Sequence, residues 1–391
     1  MPISERVEEL QPSVFHKLQA IAAEEKEIIS LGPGEPDFDT PSYIMKEFRK
    51  ALTKGHTHYT SPNGKKELLI EISRKLKRKN DITADAEHSV IVTCGSTEAL
   101  LLALANIIDP TEEVLVPDPG YFAYGPMVEF IDGEATSYQL TAENGFQPDP
   151  DDIKKKISRK TQAIIINTPS NPTGSVFKRK VLEELADIAI EHDLFILSDE
   201  AYEDLVYDGA KHISIGSLNG MENHVISFFS FSKSYAMAGF RVGYAVGPEA
   251  VIERMSRAHL FTSICAPSLS QIAALAALKG QQHDVERMRK EYARRREYML
   301  KRIDEIEGLS IEMKPEGAFY LFPRIDPSFG YSSLEFVKFL IQRAKVITIP
   351  GNEFGRNGEG FIRMSYATNI KLIEKAMNNI EEAVGYLRST K

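Results

Sequence analysis

The stretch Val225–Tyr244, VISFFSFSKSYAMAGFRVGY, decides how the rest of the chain is read. It opens on an apolar run, Val225-Ile226-Ser227-Phe228-Phe229, which reads as a buried strand. Ser230, Ser232 and Lys233 follow, and Arg241 comes eight residues after the lysine, between Gly239 and Gly243. A lysine at the end of a buried strand is poorly solvated. That lowers its pKa and makes its amine a usable nucleophile. Two hydroxyls and a guanidinium around it suit a phosphate dianion. These groups point to a Schiff base with a phosphorylated aldehyde, of which pyridoxal phosphate is the common one. A lone Ser-Lys pair at a strand end is more often a solvated lysine near a structural arginine. The reading therefore rests on what surrounds this stretch.

Upstream, apolar strands alternate with helical segments, the signature of a parallel α/β sheet. Strands are expected at 88–93, 113–117, 135–140, 163–167 and 194–198, with helices at 97–108 and 178–192. Ser96, Thr97, Tyr121, Asn171, Asp199, Tyr202, Ser230, Ser232 and Lys233 all fall at or just past the C-terminal ends of strands. In open α/β sheets ligands bind in the crevice outside those ends. One or two such residues would be ordinary turn chemistry; the alignment of the whole set is what points to a site.

Towards the termini the pattern changes. Residues 4–24 carry an amphipathic stripe, 28–31 read as a short strand, and LGPGEPDFDTP is a rigid irregular loop. Helices are expected at 42–54 and 65–79, flanking a loop that carries Tyr59 and Gly64. Beyond His283 come a long charged helix (284–308), short strands (309–313, 318–323, 345–349, 360–366) and helices at 333–344 and 370–387. This is an α+β pattern, with a boundary placed near 285–295. The expected division is an N-terminal arm that is part of the small domain (1–45), a large cofactor-binding domain (46–290) and a C-terminal small domain (291–391).

Composition narrows the class. The chain has 391 residues, enough for roughly two domains, and its 42% hydrophobic and 26% charged content is that of a globular protein. A net charge of -9 argues against a nucleic-acid partner. Two cysteines, Cys94 and Cys265, make neither a disulfide framework nor a zinc set, and fit a reducing compartment. MPISERVEEL lacks the apolar region of a signal peptide, and no apolar run approaches bilayer length. The expectation is a cytoplasmic protein without membrane contact.

Each candidate position has a bland reading beside the chemical one. Gly95-Ser96-Thr97 follows a strand and opens a helix, where free N–H groups and the dipole favour an anion; alone it would be an N-cap. Asp199 ends the buried run Leu194–Leu197 and needs a cationic partner, either a pyridinium nitrogen or an arginine. Tyr202 and Asn171 can hydrogen-bond a phenolate oxygen, and Tyr121 can stack on a flat ring or pack under a loop. Arg363 lies between apolar neighbours and wants a bidentate carboxylate, from a substrate or from the chain itself.

Taken together, LGPGEPDFDTP, VTCGSTEAL, DPGYFAYGP, NTPSNPTG, SDEAYEDLVYDG, SFSKSYAMAGFRVGY, KPEGAFYLFPRI and GFIRMSYA resemble fold-type I pyridoxal-phosphate enzymes. Specifically, they resemble class I aminotransferases of the aspartate aminotransferase family. The stretches run in family order from about residue 30 to 366. The resemblance implies a large domain with a mostly parallel, seven-stranded-type sheet flanked by helices, plus a smaller α+β domain. It implies Lys233 as the Schiff-base lysine and proton carrier, Asp199 at the ring nitrogen, and Asn171 and Tyr202 at the ring oxygen. Tyr121 would stack on the ring, where many relatives have Trp, a residue absent from this chain. Gly95, Ser96, Thr97, Ser230, Ser232 and Arg241 would hold the phosphate. Tyr59 would reach the phosphate of a neighbouring subunit, which implies a homodimer with shared active sites. Arg363, with Gly34 and Asn171, would clamp the substrate α-carboxylate. The implied reaction is ping-pong transfer of an amino group from an L-amino acid, aspartate or aromatic, to a 2-oxo acid such as 2-oxoglutarate. EALLLALANII after Thr97 offers no basic residue where some relatives supply one, which leaves the side-chain preference open. Two alternatives stand beside this reading: a lyase or decarboxylase on the same fold, and a non-catalytic pyridoxal-phosphate sensor.

Overall fold

The computed structural model describes Val14, Leu18, Ala20 and residues 27–390. The expected helix over 4–24 therefore lies outside the described residues, except that Val14, Leu18 and Ala20 are each helical. The continuous described stretch, from residue 27, opens on β1 (Ile29–Ser30). A seven-stranded sheet follows, built from β2 (Val90–Thr93), β3 (Glu113–Asp118), β4 (Glu134–Gln139), β5 (Thr161–Asn167), β6 (Phe195–Asp199), β7 (Val225–Ser230) and β8 (Gly243–Val246). Its order is β2-β8-β7-β6-β5-β3-β4. All neighbours are parallel except β8, which runs antiparallel to both β7 and β2.

The strands are apolar on both sides because both faces are covered, as a parallel sheet requires. On β5, Ala163 and Ile165 join a cluster with Leu100, Leu104, Val251, Ile252 and Met255 of helices Ser96–Ile107 and Glu249–Thr262. Ile164 and Ile166 point the other way, into a cluster with Leu182, Leu185 and Ile188 of helix Arg179–Glu191. At the β2–β8 end, Val90, Val92 and Tyr244 pack with Leu68, Ile72 and Ala274 of helices Lys66–Lys75 and Ser268–Lys279.

The sequence reading missed β8. Four residues, two of them glycine or alanine, carry too little pattern to separate from a loop. The strand matters because Gly243 pairs with both Thr93 and Ser230. Being antiparallel, β8 starts at the edge where its neighbours end, so Arg241 arrives beside Ser96 and Ser230. A Cβ at Gly243 would lie 2.5 Å from the Ser96 nitrogen and 2.8 Å from the carbonyl oxygen of Phe229. Only glycine lets the strand approach the start of helix Ser96–Ile107 this closely. Lys233 also sits differently from the expectation: it lies in the single-turn helix Phe231–Ser234, not at the end of β7. Helices Glu249–Thr262 and Ser268–Lys279, which the sequence reading passed over, complete the covering layer.

Helix His283–Glu305 leads to β9 (Leu309–Ser310), β10 (Tyr320–Leu321), β11 (Arg324–Ile325), β12 (Val346–Ile347), β13 (Ile349–Pro350) and β14 (Ile362–Ser365). β14 lies between β10 and β13, both antiparallel to it, and β9 pairs with β11. The strands expected at 309–313 and 318–323 are shorter than their apolar runs. Helix Ser333–Ala344 starts at the expected residue, fixed by a capping box between Ser332 and Glu335. β1 joins this region from the other end of the chain, parallel to β12. Leu31 accepts from the Ser365 amide at 2.7 Å, which draws residues 32–34 across the strand ends. Among the described residues, no helix is long and apolar enough to cross a membrane.

Gly243→Ala is expected to lower stability by about 1–3 kcal/mol, because the atoms it meets are backbone and cannot rotate away. Denaturant unfolding of the variant beside the parent measures it; an unchanged midpoint would refute the close-approach argument.

Candidate active site

A cavity of about 290 Å³ opens outside the C-terminal ends of the parallel strands. Gly34, Gly95, Ser96, Thr97, Tyr121, Asn171, Asp199, Tyr202, Ser230, Ser232, Lys233, Arg241 and Arg363 all line it. Tyr59 does not. It is 80% exposed and lines a separate surface depression. Sequence reasoning missed Asn167, Tyr320, Leu100, Met127 and Phe228 in the lining, and Tyr124 just behind it.

Lys233 is aimed by its turn. The Ser230 hydroxyl caps that turn, accepting from the Ser232 amide at 3.1 Å. The Lys233 amine donates to the carbonyl of Gly34, on the segment that β1 anchors. Burial, then the Arg363 guanidinium, bring its pKa down to about 8. The amine is thereby within reach of the neutral, proton-accepting form near physiological pH.

Asp199 ends β6. Its Oδ2 accepts from the Tyr124 hydroxyl at 2.7 Å and its Oδ1 from the Ala201 amide at 3.1 Å. No lysine, arginine or histidine of the described residues forms an ion pair with it. Burial raises its pKa, and those two hydrogen bonds oppose the rise. The carboxylate is therefore placed to take a cation that the described chain does not provide. Tyr124 escaped the sequence reading because its hydroxyl meets Asp199 only through the pairing of sheet and helix, 75 positions apart.

The phosphate-type cradle combines the first turn of helix Ser96–Ile107 with the Thr97, Ser230 and Ser232 side chains and Arg241. The Arg241 guanidinium is steered by the carbonyls of Ala238 at 3.0 Å and Cys94 at 3.4 Å. A Cβ at Gly95, whose φ is 91°, would lie 2.7 Å from its Nη2. Two hydroxylic side chains at a helix start could be caps, but the N-cap here is Gly95 with no side-chain cap, and Ser96 and Thr97 line the cavity together with Arg241.

Arg363, at the middle of the β10-β14-β13 sheet, is 3% exposed. Nη1 donates to Asn171 Oδ1 at 2.8 Å and Nη2 to the Gly32 carbonyl at 2.6 Å. Nε has no partner, and no carboxylate of the described residues pairs with the group. Its face lies over Tyr320, 4.3 Å from the ring centre. Tyr320 also shares a 2.7 Å hydrogen bond with the Tyr202 hydroxyl. A buried guanidinium with an idle donor is a ready site for an anionic ligand.

These residues match a known family. The family model for aminotransferase class I and II covers residues 26–380. The chain belongs to that family. It is 44% identical over 386 residues to the aromatic-amino-acid aminotransferase 2 of Thermococcus litoralis, covering 98% of each chain. It is equally similar, 44% over 386 residues and 98% of each chain, to the aspartate aminotransferase of Pyrococcus abyssi. The solved aromatic aminotransferase of Pyrococcus horikoshii superposes with a TM-score of 0.90 at 42% identity, over 94% of this chain and 99% of that one.

The chain is thus an aminotransferase dependent on pyridoxal phosphate. The cavity fits that cofactor on its own evidence, for one lining combines an anion cradle, a partly buried carboxylate with no ion pair among the described residues, and an amine of lowered pKa. When bound, the cofactor supplies a cationic ring that withdraws electrons from the substrate α-carbon.

The Lys233 amine of cofactor-free protein is expected to gain reactivity towards an acylating reagent as pH rises through about 8, well below exposed lysines. Peptide mapping of the labelled chain across pH measures it. A half-point shared with the surface lysines would show that burial does not tune this amine.

Proposed function

We propose that this aminotransferase takes its amino group from L-amino acids with aromatic or large apolar side chains and passes it to a 2-oxo acid. The observation that carries this preference is the side-chain end of the cavity. Leu100, Phe122, Met127 and Tyr121 give the lining an apolar group that we assign to that end, and among the described residues the arginines and lysines of the lining are Lys233, Arg241 and Arg363. Each of those three is already engaged in the cradle, the amine or the carboxylate clamp. A second carboxylate would meet apolar walls there and lose its hydration without a partner. Aspartate is the second reading, favoured by the equal similarity to the Pyrococcus abyssi enzyme.

In this reading Arg363 binds the α-carboxylate bidentately, with Asn171 and Gly34 beside it. Lys233 Nζ removes the α-proton and returns one, acting as base and then acid. Asp199 would hold the positive charge of the ring nitrogen, with the Tyr124 hydrogen bond favouring its charged form. Asn171 and the Tyr202 hydroxyl would donate to the ring oxygen, with Tyr320 hydrogen-bonded to Tyr202 behind it. Tyr121 would cover the ring, and Gly95, Ser96, Thr97, Ser230, Ser232 and Arg241 would hold the phosphate.

The 80% exposure of Tyr59, a large aromatic outside its own cavity, fits a residue that completes the site of a second copy. The homodimer with shared sites, the division at about 290 between a large and a small domain, and a cytoplasmic location belong to the same proposal.

A half-reaction panel tests the substrate class. Single amino acids are added to the holoenzyme without acceptor, and loss of its visible absorbance is followed. Phenylalanine and tyrosine are expected to bleach it with a kcat/KM at least tenfold above aspartate. Aspartate ahead of both would move the assignment to the dicarboxylate class, and no bleaching in a Lys233→Ala variant is the control. For the shared site, Tyr59→Phe is expected to weaken cofactor retention by about 1 kcal/mol, the worth of one hydrogen bond. Equilibrium dialysis measures this, and unchanged retention would remove Tyr59 from the phosphate site.

A further inference from the structure

Behind the phosphate cradle lies a second cluster that the transamination chemistry does not use. The Cys94 thiol, a Glu98 carboxylate oxygen and a His259 ring nitrogen all lie within 4.8 Å of one another. Cys94 follows β2, Glu98 is in the first turn of helix Ser96–Ile107, and His259 is on helix Glu249–Thr262.

His259 is completely buried. Its Nδ1 lies 3.0 Å from the Pro62 carbonyl oxygen. A carbonyl only accepts, so Nδ1 carries the hydrogen. Nε2 is left without a hydrogen-bond partner, 3.3 Å from Glu98 Oε2. Glu98 is held in place by the Cys94 amide at 2.6 Å and by the Ser263 hydroxyl. A lone pair on Nε2 and a carboxylate would repel at this distance in a buried setting, so a cation must sit between them. That cation is either a proton on His259 or a metal ion.

The spacing suits a metal. Nitrogen and oxygen donors each about 2.0–2.2 Å from a tetrahedral zinc lie roughly 3.3–3.5 Å from each other, and the Nε2–Oε2 distance is 3.3 Å. The third donor is the Cys94 thiol, which is only partly buried and so leaves an entry path.

We propose that Cys94, Glu98 and His259 form a binding site for a thiophilic divalent cation of the zinc class. The ion would take the Cys94 sulfur, one Glu98 oxygen and His259 Nε2, with water in the fourth position, and the thiol proton would pass to solvent. Its consequence is mechanical. The Cys94 carbonyl steers Arg241, the Pro62 carbonyl holds His259, and the Thr60 amide lies 3.4 Å from the Cys265 sulfur. A metal here would staple the phosphate-binding turn to the segment that carries Tyr59.

The test uses holoenzyme stripped with a chelator, freed of amino acids and titrated with zinc, with bound metal counted by atomic emission after gel filtration. One zinc per chain is expected. Cys94→Ser and His259→Gln should each weaken binding by at least roughly tenfold, while Cys265→Ser should not. Cadmium should give a thiolate-to-metal ultraviolet band in the parent and in Cys265→Ser, and none in Cys94→Ser. The visible absorbance of the bound cofactor reports whether each variant folds, and the cadmium band of the parent depends on no variant. A parent that binds no more zinc than Cys94→Ser, or shows no cadmium band, overturns the proposal and leaves an imidazolium–carboxylate pair as the content of the cluster.

Discussion

The buried guanidinium of Arg363 is the constraint on which the site depends. It is a charge held away from water, which costs several kcal/mol unless it is well partnered. Its partners come from distant parts of the chain: Asn171 after β5, and the Gly32 carbonyl beyond β1. Satisfying this one group brings the N-terminal strand, the large sheet and the C-terminal strands to a common point. The same segment then places the Gly34 carbonyl on the Lys233 amine. A Cβ at Gly34 would lie 2.5 Å from the Tyr320 hydroxyl, so any side chain there would have to displace the Tyr320–Tyr202 pair.

Burial works in opposite directions on the groups of the cavity. It lowers the pKa of Lys233 and Arg363 and raises that of Asp199, since each charged form loses hydration. Hydrogen bonds then decide how far each shift goes. Tyr124 and the Ala201 amide defend the Asp199 charge, whereas the Lys233 amine has only a carbonyl. Shared desolvation thus makes the amine easier to deprotonate, with the Arg363 charge adding to the effect, while hydrogen bonds hold back the rise of the carboxylate in the same cavity.

Much of the site was legible because α/β sheets place ligands at one edge, and apolar runs reveal where strands end. Asn171, Asp199, Tyr202 and Lys233 could be assigned to that edge from periodicity alone. Arg241 was legible only as a neighbour in sequence. Its arrival depends on β8, whose antiparallel direction no local pattern encodes. Tyr124 and Tyr320 were invisible for a related reason. Each acts through a contact between segments far apart in the chain, and each reads locally as an ordinary core tyrosine.

The sequence by itself determined the strand and helix alternation, the residue types of the anion cradle, the amine and the carboxylates, and the family these resemble. Those features are local, set by periodicity, glycine and capping chemistry over short stretches. Only the tertiary structure decided which groups share one cavity, which buried charges lack a partner, and that Cys94, Glu98 and His259 converge behind the cradle. Those outcomes depend on sheet order, strand direction and desolvation, which are properties of the packed chain and not of any segment within it.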